Sequence, residues 1–196
     1  MMVPRLFLKW PWTSANGFQR VATVWRTLPV PTICVIHGNC FGGGLQIALG
    51  TDIRITTPDA HWSVMEAKWG IIPDMGITTT LTTLTRYDIA QELTLTGRLF
   101  SGEEAHQYGL ATRISQTPMA EAELLAQQIC QQSPDQTAAV KRLFYKTWKA
   151  GVRRALLWER WIQLRLLGRR NNRIALCNGT RQMDTPEKKF KDRSLF

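Results

Sequence analysis

Cysteine and histidine are both scarce in this 196-residue chain, and their scarcity removes several kinds of chemistry. The four cysteines (Cys34, Cys40, Cys130 and Cys177) are scattered and form no CxxC pair, which excludes a dense disulfide framework and points to reduced thiols in a cytoplasmic protein. The three histidines (His37, His61 and His106) have no ligand spacing with the cysteines, so no zinc site is legible. Internal repeats are absent. Long uninterrupted apolar runs are absent too. The uncharged stretch from Thr27 to Thr51 is broken by Pro29, Pro31, Asn39, Gln46 and the glycines Gly42 to Gly44. It reads as strand, glycine turn and buried helix rather than as a membrane span. The opening MMVPRLFLKWPW carries Pro4, Lys9 and Pro11 and no small-residue cleavage site, so it does not read as a signal peptide.

Acidic residues are also in short supply, 15 against 25 lysines and arginines. The imbalance is local. Residues 1–140 hold nine basic and eleven acidic side chains, whereas residues 141–196 hold sixteen and four. Such asymmetry points to a polyanionic partner or, more simply, to a solvated helix face with a basic tail. No nucleic-acid-binding signature accompanies it, so nucleic acid is the minority reading. Eight Trp and seven Phe are too many to leave in water, which excludes general disorder. Asn178-Gly179-Thr180 has a glycosylation pattern of a kind that chance often produces.

Hydrophobic patterning predicts strands at TICVI (residues 32–36), IRIT (53–56), HWSV (61–64) and LATRI (110–114). Helices are expected for LQIALG, for the Thr-rich run after Gly76, and from Asp88, read as the cap, to Gly97. Others follow from a capping box at Ser101/Glu104, from Ala120 to Gln132, and from Asp135 onward. Strands alternating with helices predict an α/β domain over 1–134, followed by a basic helical region over 135–196. The first thirty residues contribute little recognisable structure.

The chemistry concentrates at TICVIHGNCFGGGLQIALG. Glycines between a strand and a helix let main-chain N–H groups approach a ligand, as a phosphate cradle or oxyanion hole requires. The run is neither a P-loop nor a dinucleotide fingerprint, because the Lys-Ser/Thr ending and the GxGxxG spacing are missing. With the pieces that follow, SVMEAKWGIIPDMG and LTGRLFSGEEAHQYGLATRI, it resembles the crotonase (enoyl-CoA hydratase/isomerase) superfamily in order and spacing. The resemblance runs from about Pro29 and weakens after Asp135.

That resemblance implies a spiral of ββα units with a C-terminal helical region that builds a homotrimer or a dimer of trimers. It also implies an unsaturated acyl-CoA substrate hydrated or isomerised through an enolate. Coenzyme A enters as part of the substrate, and neither a metal nor a separate cofactor is expected. Gly43 matches the glycine that supplies one oxyanion donor, with Gly42 beside it. Glu66 matches a catalytic glutamate, and Asp74 falls where dienoyl-CoA isomerases carry an aspartate. Gln46 stands where hydratases carry their other glutamate, and an amide cannot exchange a proton as a carboxylic acid does. Gln46 and Trp69 are expected to contact substrate, with Trp62 and Trp69 as core or acyl-pocket walls. Lys188, Lys189 and Lys191 match tail positions that can reach ligand phosphates, or else form a solvated tail. The family segment bearing the second oxyanion donor is not legible before TICVI, so a domain shortened at its N-terminal side is expected. Other readings remain. Glu66 can pair with Lys68 at the surface, His37 can be a core histidine, and the chain can be a non-catalytic paralogue binding RNA through its basic C-terminal region.

Overall fold

The β-branched run after Pro31 forms strand β1 (Ile33–Ile36), and IRIT forms β3 (Ile53–Thr56). The computed structural model describes residues 12–180 and 186–196. Most of the opening MMVPRLFLKWPW therefore lies outside the described residues. Two compact units are present: residues 12–26 and 32–124 belong to the first, and residues 27–31, 125–180 and 186–196 to the second.

In the first unit the chain repeats a ββα pattern, sending one strand of each pair to each of two small sheets. β1, β3 and the two-residue β6 (Arg113–Ile114) form one parallel sheet in the order β1-β3-β6, with Ile33 opposite Ile53 and Ile55 opposite Arg113. The second sheet has the order β2-β4-β5. Here β2 (Asn39–Phe41) runs parallel to β4 (His61–Ser63), and β5 (Phe100–Ser101) is antiparallel to β4. β2 occupies residues expected to belong to the turn, and the predicted LATRI strand shrinks to two residues.

Helix α1 (Gly17–Thr23) was not foreseen. It is closed by a capping box in which Asn16 Oδ1 accepts from Gln19 N at 2.9 Å and Gln19 Oε1 accepts from Asn16 N at 3.0 Å. It packs on α2 (Gly42–Leu49), where Ala22 lies so close to Gly50 that a Cβ there would sit 1.8 Å from Ala22 O. α2 buries Leu45, Ala48 and Leu49 in a core centred on Trp62 and closed by Leu93, Phe100 and Leu110. Each buried leucine contributes about 1.5–3 kcal/mol relative to exposure. The fully buried Trp62 keeps its Nε1–H satisfied by donating to Thr56 Oγ1.

The Thr-rich run is helical as expected, forming α3 (Ile77–Leu84). α4 (Tyr87–Thr96) starts one residue before the predicted cap, and Asp88 instead bonds Arg86. α5 (Gly102–Gln107) carries the expected Ser101/Glu104 capping box. His37 is exposed, not core, because β1 ends at Ile36 and the chain turns outward there.

Helix α6 (Pro118–Cys130) runs across the division between the units. The second unit holds α7 (Pro134–Thr147), α8 (Val152–Leu166) and α9 (Arg170–Gly179). α7 begins with Ser133 as N-cap and Pro134 in the first turn, the preferred place for a residue lacking an N–H. α7 and α8 leave Phe144, Trp148, Leu156, Leu157 and Leu164 exposed.

The tail is fastened to α9 by two asparagines. Asn178 and Asn171 each accept from and donate to the main chain of one residue, Lys188 and Lys191 respectively, at 2.9–3.0 Å. Both polar atoms of the Asn178 amide are therefore occupied. Buried Asp135 then accepts from Ser194 N (2.7 Å), Leu195 N (2.9 Å) and Asn171 Nδ2 (2.8 Å). Burial pushes its carboxyl up, but these donors outweigh burial and hold it below the usual carboxylate range. A depressed carboxylate contributes stability above its unfolded pKa of about 3.9 and loses it as pH falls through the folded value. Amide exchange in residues 188–195 should therefore accelerate below about pH 4. Asp135→Ala should bring the same acceleration at neutral pH, at a cost of about 1.5–3 kcal/mol.

Candidate functional site

The glycine turn sets the site. Gly42 has φ +48°, a left-handed conformation that side chains resist, and it leads directly from β2 into α2. The N-cap, Phe41, makes no side-chain hydrogen bond to the helix start. The first N–H groups of α2 lack intrahelical acceptors and carry the positive end of the helix dipole.

Glu66 stands beside this turn. It lies in a 3-10 turn, Met65–Trp69, that ends at Gly70 with φ +66°. The residue is 8% exposed, and its carboxylate passes close to Gly42, where a Cβ would sit 3.5 Å from Oε1. Oε1 accepts from Gln46 Nε2 at 2.7 Å, while Oε2 is buried without a hydrogen-bond partner. An unpartnered buried carboxylate oxygen is costly, and such cost concentrates at functional sites. None of the ion pairs among the described residues includes Glu66, so the surface pair with Lys68 does not form.

Gln46 is 1% exposed and bridges two segments. Its Oε1 accepts from Met75 N at 2.9 Å, and its Nε2 donates to Glu66. Met75 also closes on the glycine turn, with Sδ 3.1 Å from where a Cβ on Gly43 would lie. Asp74, immediately before Met75, is half-buried. Glu66, Gly42, Gly43, Gln46 and the Asp74–Met75 segment thus converge. Trp69 does not join them in an enclosed wall: it is 74% exposed, because the 3-10 turn points it away from the core. Met75 was missed by sequence reasoning. The only signal was the amide inside LQIAL, since a glutamine on a buried helix face needs partners.

Cys40, at the edge of the turn, is not a nucleophile in this setting. Burial pushes its thiol up to about 12, and the neighbouring Cys34 adds to the effect. Alkylation of the native protein should modify exposed Cys130 and Cys177 first and Cys40 last, read by peptide mass spectrometry. Among the described residues no group of three or more His, Cys, Asp or Glu could hold a metal ion. None of the helices among them is long and apolar enough to cross a membrane.

In the second unit, Lys188, Lys189 and Lys191 line an open groove of about 690 Å³ together with Arg169, Arg170 and Arg173. No acidic side chain lines it.

The paired small sheets, the glycine turn opening a helix and the buried glutamate beside it define an α/β protein of crotonase-like fold. Comparison with known proteins agrees: residues 13–173 match the family described as enoyl-CoA hydratase/isomerase, and the chain belongs to that family. It is 38% identical over 134 residues to a carnitinyl-CoA dehydratase from Salmonella typhi, a match covering 67% of this chain and 51% of that protein. The chain thus spans about half the length of the curated relatives it matches. Among solved structures, an enoyl-CoA hydratase from Bacillus anthracis superposes with TM-score 0.78 at 26% identity, covering 82% of this chain and 63% of that one. An enoyl-CoA hydratase from Polaromonas sp. JS666 gives 0.80 at 23% identity, covering 89% and 68%, a likeness of fold.

Proposed function

We propose that the protein acts on an unsaturated acyl-CoA thioester, hydrating or isomerising it through an enolate. The observation that carries this reading is the unpartnered Oε2 of buried Glu66, beside the glycine turn at the head of α2. In this reading Glu66 moves the proton, and the Gly43 N–H receives the negative charge that develops on the thioester oxygen. A comparable donor is worth about 2.7–4 kcal/mol when removed. Asp74 is the second acid–base group, and Gly42, with the exposed ring of Trp69, contacts the substrate. Coenzyme A arrives with the substrate, and the chemistry assigned to these residues calls on no other cofactor. The exposed apolar side chains of α7 and α8 are consistent with assembly into a trimer, which light scattering would measure.

The test is turnover of a short 2-enoyl-CoA and of a 3,5-dienoyl-CoA by folded protein, followed by absorbance. Loss of the enoyl absorbance reports hydration, and a gain of absorbance, as the double bonds of the dienoyl-CoA come into conjugation with the carbonyl, reports isomerisation. Inertness toward both overturns the enzymatic reading and favours a binding role. The basic groove of α9 and the tail is the observation behind that second reading, in which the chain binds RNA. RNA affinity should then fall steeply with salt, and absence of binding at low salt removes it.

A further inference from the structure

Successive glycines of the turn meet different neighbours. The side-chain position of Gly42 faces the Glu66 carboxylate, and that of Gly43 faces Met75. Apart from the adjoining chain and the backbone of α2, only Met75 among the described residues comes within 4 Å of a Cβ on Gly43, with Sδ at 3.1 Å and Cε at 3.9 Å. The same position on Gly44 meets nothing within 4 Å. One thioether therefore walls the turn where α2 begins. The main chain that carries it is pinned on both sides. Met75 N–H donates to buried Gln46 Oε1 at 2.9 Å. The next residue, Gly76 (φ +90°), lies so near α1 that a Cβ there would sit 2.8 Å from Thr23 Cγ2. Met75 itself is half-buried, and its side chain has three rotatable bonds. A soft wall thus stands on a fixed support.

We propose that Met75 is a specificity-determining residue that selects thioesters bearing hydrogen, rather than a methyl branch, on the acyl carbon next to the carbonyl. This rests on the roles assigned to Gly43, Glu66 and Asp74 in the proposed function. With the thioester oxygen at the Gly43 N–H, the nearest further substrate atoms are the two neighbours of the carbonyl carbon, the acyl carbon and the sulfur. Asp74 acts on the acyl part and directly precedes Met75, so the Met75 side chain stands on the acyl side. A branch on that carbon competes with Sδ and Cε for the space beside Gly43. Methionine yields by rotating, so branching is penalised rather than forbidden. One methyl group in an apolar pocket discriminates by about 10–200-fold. Replacing Met75 by alanine takes away both atoms that wall this position.

The test takes kcat/KM for a thioester methylated at carbon 2 and divides it by the value for its unbranched parent, in whichever reaction the protein performs. Measured on one preparation, this ratio does not depend on how much of the protein is folded. In the wild type the branched substrate should be poorer by about tenfold or more. In Met75→Ala the ratio should rise by about tenfold, whereas Met75→Leu, which keeps the bulk, should leave it near the wild-type value. Calorimetric Kd values for butanoyl-CoA and 2-methylbutanoyl-CoA, which have no double bond to hydrate or move, report on the same wall without turnover. Their ratio should shift in the same direction. Ratios in Met75→Ala that match the wild type, in turnover and in binding, overturn the inference and leave Glu66 as the base. Should Met75→Ala not fold, Met75→Val, whose side chain is too short to reach Gly43, decides in its place. Wild-type turnover by Glu66→Gln, or failure of the native protein to bind either thioester, overturns the underlying reading instead.

Discussion

Replacing Glu66 by glutamine is expected to lower turnover of an unsaturated acyl-CoA by about 10²–10⁴-fold, the range for loss of a positioned general acid–base group. The fall should appear in kcat with KM nearly constant, because the amide fills the same volume and its carbonyl can still accept from Gln46 Nε2. Stability should be maintained or raised. The wild-type carboxylate keeps one buried oxygen without a partner, and a neutral group in that place removes a buried charge. A variant that is nearly inactive yet melts no lower than the parent is the signature of a residue retained for chemistry at a cost in stability. Thermal denaturation and steady-state kinetics on the same preparation check both halves. A large fall in melting temperature, or wild-type turnover, would contradict the assignment.

The second large effect concerns folding. Gly50→Ala should destabilise the first unit by more than about 3 kcal/mol, at or beyond the usual range for overpacking. The new Cβ would lie 1.8 Å from Ala22 O and 2.9 Å from Ala22 C, and backbone atoms cannot swing aside as a flexible side chain can. Gly50 has φ −76°, a value any residue adopts, so its absence of a side chain serves the close approach of α1 rather than the turn. Gly44→Ala is the matched control. Its Cβ meets nothing within 4 Å, and alanine in a helix is favoured over glycine by about 0.5–1 kcal/mol. Equal melting temperatures for the two variants would show that α1 and α2 can move apart without loss.

Much of the fold is written in short stretches of sequence. β1, β3 and β4 were legible because β-branched or aromatic residues sit between turn formers, and α5 was legible because Ser101 and Glu104 spell a capping box. Asn16 and Gln19 form the same kind of box, yet α1 was missed, since the residues around it show no apolar period to draw attention to it. β2 and β5 are three and two residues long and exist through pairing with β4, which no local pattern records. The division of the candidate site follows the same rule. Glu66 and the glycines stood out by resemblance to a family. The bond from Gln46 to Glu66 spans twenty residues and the one to Met75 spans twenty-nine, and such distances are set by tertiary packing. Trp69 shows the converse: a large ring in an apolar context read as a wall, but the 3-10 turn leaves it outside.

The two asparagines of α9 grip the tail through its main chain, offering the donor and acceptor that a neighbouring strand would offer. Attachment through the main chain is indifferent to what projects from it. Positions 188 and 191 are therefore open to drift: a lysine there can become glutamine, serine or glutamate while the tail stays where it is. Natural variation can retune the charge of this surface at little structural risk, whereas a change at Asn171 or Asn178 would release the segment whatever its charge. The anchor is conservative and the cargo is not, an arrangement that lets a surface evolve a new partner without first rebuilding its scaffold.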